Sequence, residues 1–173
     1  MEINTIILQD KFIELGESPI YDSEYNNIGT VSYKLSLANK FKILKDQDCV
    51  FEGTSKVLAL MPQMSIANRD GIEVGVIKRK FTFFTKKYLY TREDGATYEI
   101  VGNIMDRKFK VLRTDGTPVI NIYTLSSIIS LRPHTFAVEF LESDIDVWEG
   151  ITVIQGVRMM VKDENSTSGG APA

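Results

Sequence analysis

Five basic residues fall within ten positions of one another, Lys78, Arg79, Lys80, Lys86 and Lys87, with no acidic residue among them. Cations at that density can hold phosphate groups, each one near an anionic surface contributing about 1 kcal/mol. In a strand, Lys78, Lys80 and Thr82 point to one face and Arg79, Phe81 and Phe83 to the other. With the two phenylalanines inward, Lys78 and Lys80 project outward, and Lys86 and Lys87 cap the turn into the next strand. The plainer reading of the same residues is a solvated edge, where lysines discourage strand addition.

Other combinations offer less chemistry. Glu142, Asp144, Asp146 and Glu149 could be read as a cation site. Calcium needs six to eight oxygens, usually from a loop with a Gly turn, so a helix cap with favourable dipole charges accounts for them better. His134 is the only histidine and Cys49 the only cysteine, and neither has an activating sequence context. One His and one Cys cannot make a standard zinc site. There is no Gly-rich phosphate loop and no dinucleotide fingerprint. The alternating tyrosines and phenylalanines follow the strand period, which favours core packing over base stacking. The sequence therefore predicts no catalytic, metal or cofactor site, no nucleic-acid partner and no enzyme.

Charge is unevenly placed. The net charge of the 173 residues is −3. Between Lys78 and Arg113 ten basic residues face four acidic ones, and between Glu139 and Glu164 seven acidic face two basic. A basic middle thus precedes an acidic end. A single cysteine permits no intrachain disulfide, which fits a reducing compartment. Met1-Glu2-Ile3-Asn4 lacks the features of a secretory signal. The most apolar stretch, Ile151 to Val161, is eleven residues long, against about twenty for a membrane span. A cytoplasmic protein, peripheral at a membrane if it meets one, is the expectation.

The elements that position these residues are paced by turns. Asp22, Asp46, Asp70, Asp94 and Asp115 each sit between apolar or aromatic runs, at spacings of 24, 24, 24 and 21 residues. Asp70-Gly71, Asp94-Gly95 and Asp115-Gly116 supply the positive φ angles that tight hairpins need. About twelve strand-like runs result, including Phe12–Leu15, Ser55–Met61, Phe81–Phe84 and Ser127–Leu131, as in an all-β barrel or sandwich. From about residue 144 to 161 the pattern becomes helical, with Ser143 or Asp144 as the cap. Trp148, Ile151, Val153, Ile154, Val157, Met159 and Met160 spread around the whole helix. A helix apolar on all sides is buried, and the sheet before it is the available container. The Ser/Gly/Ala/Pro-rich end, 163–173, is expected to be disordered.

A hairpin barrel threaded by an apolar C-terminal helix resembles the tubby-like C-terminal fold, most of all its LURP-one-related (YxjI) branch and the phospholipid scramblases. Three stretches carry the likeness. They are Phe41-Lys42-Ile43-Leu44 with its echoes before each Asp turn, Val76 through Phe84, and Phe136 through Trp148 into Ile151–Met160. The resemblance covers nearly the whole chain to about Val161. It implies a closed, twelve-stranded antiparallel barrel around a central helix, in one domain over 1–162. It also implies a link to lipid, since tubby domains bind phosphoinositides through basic residues on barrel strands. The chain departs from scramblases in having no Pro-rich, cysteine-bearing N-terminal extension. It also has Arg132-Pro133-His134 where they carry an acidic loop associated with calcium. The expectation is a non-enzymatic module that binds anionic phospholipid or phosphoinositide head groups through Lys78, Arg79, Lys80, Lys86 and Lys87. The alternatives are a structural or protein-interaction barrel and, more remotely, a scramblase-like lipid-handling protein.

Overall fold

The structure, a computed structural model, describes residues 4–10, 15–34, 39–56, 59–80, 87–125 and 134–168. The expected runs over 12–14, 81–84 and 127–131, together with Lys86, lie outside the described residues.

Twelve antiparallel strands run in sequence order around a closed barrel. They are β1 (Thr5–Asp10), β2 (Gly16–Asp22), β3 (Asn27–Lys34), β4 (Lys40–Lys45), β5 (Asp48–Ser55), β6 (Gln63–Asn68), β7 (Glu73–Lys80), β8 (Lys87–Arg92), β9 (Thr97–Asn103), β10 (Lys108–Arg113), β11 (Pro118–Thr124) and β12 (His134–Phe140). Closure comes from β1, which pairs with β2 on one side and with β12 on the other, from Thr5↔Glu139 to Asp10↔His134. The expected strand over Ser55–Met61 does not form in its described part. β5 stops at Ser55, and Leu60 stands fully exposed just before Pro62.

The regular spacing of the turns has a topological cause. In an up-and-down meander every second connection returns to the same end, so two strands and two connections recur about every 24 residues. All five Asp turns therefore crown one rim, and the described connections 56–62, 104–107 and Leu125 belong to the opposite rim. The five turns are not chemically equal. Asp22, Asp94 and Asp115 accept the backbone N–H two residues on, at 2.9, 2.9 and 2.8 Å. At the third turn Asn68, not Asp70, plays that part. At the second, Asp46 and Gln47 themselves take φ of 51° and 71°, the pair of positive angles a two-residue hairpin requires. Gly71, Gly95 and Gly116 have φ of 77°, 87° and 86°, as the Asp-Gly pairs predict. Gly95→Val should therefore lower stability by more than about 1 kcal/mol, because a β-branched residue is strained at positive φ. Denaturant midpoints of the two proteins measure it.

The inward strand positions carry the core: Phe41 and Ile43, Met64 and Ile66, Tyr88 and Tyr90, Phe109 and Val111, Phe136 and Val138 are all buried. The helix α1 (Val147–Ser168) fills the space they enclose. Ile151, Val153, Ile154, Val157, Met159, Met160 and Val161 are all at most 5% exposed although they point in every direction, as expected for a helix walled in by a barrel. Gly156 marks the closest approach. A Cβ there would stand 2.8 Å from both Ile77 Cδ1 and Met64 Sδ.

The helix differs from expectation at both ends. It begins at Val147 because Asp146 is the cap, its Oδ1 accepting the N–H groups of Trp148 and Glu149 at 2.9 and 3.2 Å. Asp144 is occupied elsewhere, in a two-point pair with Arg113 at 2.5 and 2.6 Å. At the other end helix continues through 162–168, beyond the apolar run and into the stretch expected to be disordered. The apolar run marks where burial ends, whereas Lys162 and Glu164 remain good helix formers. Trp148, expected in the core, is only partly buried at the turn rim, packed over Gly29 with Lys45 Nζ 5.7 Å from its ring centroid.

Candidate functional site

Inside the barrel, polar residues of α1 are anchored to the wall at three levels. Near the turn rim, Glu149 is 4% exposed, accepts the Tyr90 hydroxyl at 2.7 Å and meets Arg92 Nε at 3.1 Å. Midway, Gln155 Nε2 donates to Tyr33 Oη at 2.8 Å. Arg158 Nη1 donates to Gln155 Oε1 at 2.9 Å, with its guanidinium 4.5 Å from the Phe136 ring centroid. At the far rim, Tyr88 Oη donates to Glu164 at 3.0 Å, and Arg79 lies 3.4 Å from the same carboxylate. These contacts fix the helix in rotation and depth, which a smooth apolar interface alone would leave loosely specified. The sequence reading missed them. It took Glu149 for a dipole charge and counted Gln155 and Arg158 within the apolar stretch from Ile151 to Val161. Glu149 is buried with its carboxylate held by Tyr90 and Arg92, which makes it an anchor between helix and wall.

Burial pushes the Glu149 carboxyl above its ordinary 4.5, against the lowering effects of Tyr90 and Arg92. A raised carboxyl favours the fold below its unfolded value, and that contribution is lost as pH rises through the folded value. Asp144 works in the opposite direction. The Arg113 hydrogen bonds hold it below 3.8, so its contribution is present at neutral pH and lost on acidification. Tyr90→Phe removes a donor from the Glu149 carboxyl. It should cost about 1.5–3 kcal/mol at a pH where that carboxyl is ionised, and less at a pH low enough to protonate it. Thermal melts at the two pH values check the difference.

Cys49 is half-buried, with its Sγ directed at the Phe51 carbonyl at 3.5 Å. Burial raises its pKa, which disfavours the reactive thiolate. His134 opens β12, opposite Asp10. Among the described residues no group of three His, Cys, Asp or Glu side chains is arranged to hold a metal ion, and no helix is long and apolar enough to cross a membrane.

The basic residues lie near the far rim, where α1 leaves the barrel. Lys78 and Lys80 are exposed on the outer face of β7, and Arg79 turns inward to Glu164, as strand alternation predicts. Lys80 is directly opposite Lys87 on β8. Like charges so placed repel, and Glu99 on β9 relieves them. Its two oxygens lie 2.9 Å from Lys80 Nζ and 3.8 Å from Lys87 Nζ, and Lys80 holds its carboxyl below the usual range.

Two more lysines that the linear motif did not include join this surface. Tyr88 pairs with Ile100, which sets Lys87 beside Val101, and Val101 pairs across the next ladder with Lys110. Lys80, Lys87, Val101 and Lys110 thus form one row over four strands, roughly 14 Å long at about 4.8 Å per strand. Lys108 stands one step nearer the rim, opposite Asn103. Lys78, Lys108 and Lys110 have no ion-pair partner among the described residues. Five lysines therefore share one curved face, with Glu99 paired to two of them and Glu73 within electrostatic reach of Lys78. A motif scan could not join Lys110 to Lys80, because the contact runs across strands.

Beside this row lies a cleft of about 480 Å³ between the last turns of α1 and the β9–β10 connection, lined in part by Lys87, Val101, Ile104, Met105 and Val161. Comparison with family models, curated proteins and solved structures finds no match to this chain.

Proposed function

We propose that the protein is a non-enzymatic barrel that binds anionic ligands, phospholipid head groups foremost, through the outer face of β7–β10. The observation that carries this reading is the cross-strand row of Lys80, Lys87 and Lys110, flanked by Lys78 and Lys108 and ion-paired, among the described residues, only to Glu99. Cations on neighbouring strands of one sheet suit several phosphate oxygens at once, against a cost of about 0.5–1.5 kcal/mol for each lysine side chain that is immobilised. The resemblance to tubby-like domains points the same way, as does the basic middle of the chain. Binding of this kind is peripheral.

One observation favours the second reading, a solvated structural or interaction barrel. Lysine–glutamate pairs recur elsewhere on the exterior, Lys40 and Lys42 with Glu52 and Lys56 with Glu73. Co-sedimentation with lipid vesicles separates the two. On the binding reading, the protein pellets with phosphatidylglycerol vesicles at low salt, stays in solution with phosphatidylcholine vesicles, and is released by added salt, since exposed charges are screened within about 8 Å at physiological ionic strength. The combined variant Lys78→Ser, Lys80→Ser, Lys87→Ser, Lys110→Ser should lose binding with its melting temperature nearly unchanged, because exposed substitutions usually move stability by about 0.5 kcal/mol or less each. Wild-type protein that ignores anionic vesicles at low salt, or a variant that pellets as well as wild type, would leave the interaction-barrel reading in its place.

A further inference from the structure

The lysine row and the apolar cleft share Val101, which lines the cleft and lies between Lys87 and Lys110 on the sheet. Ile104 and Val161 are 6% and 4% exposed and form the floor, whereas Met105 is 49% exposed and forms an adjustable wall. The volume lies within the range of small-ligand sites, about 300–1,000 Å³. Carboxylates on the surrounding elements are engaged, Glu99 by Lys80 and Lys87, Asp106 by Asn103 Nδ2 at 2.6 Å, and Glu164 by Tyr88 and Arg79. A purely ionic ligand would leave the apolar walls wet, and a neutral apolar ligand would leave the lysines unused. A ligand with both characters satisfies both.

We infer that the cleft receives the hydrocarbon chain of a single-chain anionic amphiphile, a fatty acid or a lysophospholipid, whose head rests on Lys87 and Lys110. This rests on the head-group reading above and adds a chain site to it.

Calorimetric titration of the full chain below micellar concentrations tests it with dodecanoate, dodecanoyl lysophosphatidylglycerol, glycerol phosphate and dodecyltrimethylammonium. At least one of the two anionic amphiphiles should bind tenfold or more tightly than both glycerol phosphate and the cationic amphiphile, and which one does so identifies the source of the chain. Met105→Asp, on an exposed side chain, should remove that advantage while sedimentation with anionic vesicles persists. Val101→Asn should do the same from the opposite wall. Equal binding of glycerol phosphate and the anionic amphiphiles would overturn the chain site and leave the head-group reading standing. Equal binding of the cationic amphiphile would overturn the role of the lysines. No binding by any probe would overturn the chain site, and sedimentation with anionic vesicles then decides the head-group reading on its own.

Discussion

A chain ending at Glu142, without α1, is expected to be recovered only as unfolded or aggregated protein. Seven large apolar helix residues are at most 5% exposed inside the barrel. At roughly 1.5–3 kcal/mol each, their burial is comparable to the whole net stability of a typical domain, about 5–15 kcal/mol. These are upper figures, since unfolded chains already cover part of such surface. The loss is also felt by the wall. Tyr90, Tyr33 and Tyr88 would lose the partners Glu149, Gln155 and Glu164. A cavity of that size cannot close without collapsing the ring of strands. Solubility, circular dichroism and sedimentation velocity of the shortened chain decide the matter; a soluble, monomeric, strand-rich product would show that the helix does not hold up the barrel.

Ile151→Asp should unfold the protein at neutral pH. Ile151 is fully buried in the first half of α1. The change removes an aliphatic side chain, worth about 2–5 kcal/mol in large-to-small substitutions, and adds a carboxylate without a designed partner. Ile151→Val, which keeps shape and polarity, should cost only about 0.5–1.5 kcal/mol. Denaturation of the pair separates burial of charge from loss of volume. An Ile151→Asp protein with a wild-type melting temperature would place this helix face in water.

The barrel and its buried helix were legible for physical reasons that can be traced to particular residues. Asp-Gly pairs demand positive φ wherever they close a hairpin, so Gly71, Gly95 and Gly116 marked three of the five connections at the turn rim. Apolar residues on all sides of 151–161 required a container. β1 is not legible from turn chemistry, because no Asp turn follows Thr5–Asp10 and its pairing with β12 joins opposite ends of the chain. The cap moved from Asp144 to Asp146 because Arg113, thirty-one positions upstream, claims Asp144. The candidate surface was half legible. Lys78, Lys80 and Lys87 announce themselves by adjacency. Lys108 and Lys110 join them only through the β8–β9–β10 register, and Glu99 enters as their counterweight by the same route. The cleft was not legible, since it arises where the β9–β10 connection meets the last turns of the helix.

The central claim is that the outer face of β7–β10 is where an anionic lipid rests. Amide-resolved NMR during titration with dihexanoyl phosphatidylglycerol, below its micellar concentration, tests it most directly. The account predicts saturable shifts concentrated at Lys78–Lys80, Lys87–Leu89, Val101–Met105 and Lys108–Lys110, with the turn rim around Asp22, Asp70 and Asp115 unmoved and with added salt reversing the change. Shifts centred on the turn rim, or none at any lipid concentration, would contradict it.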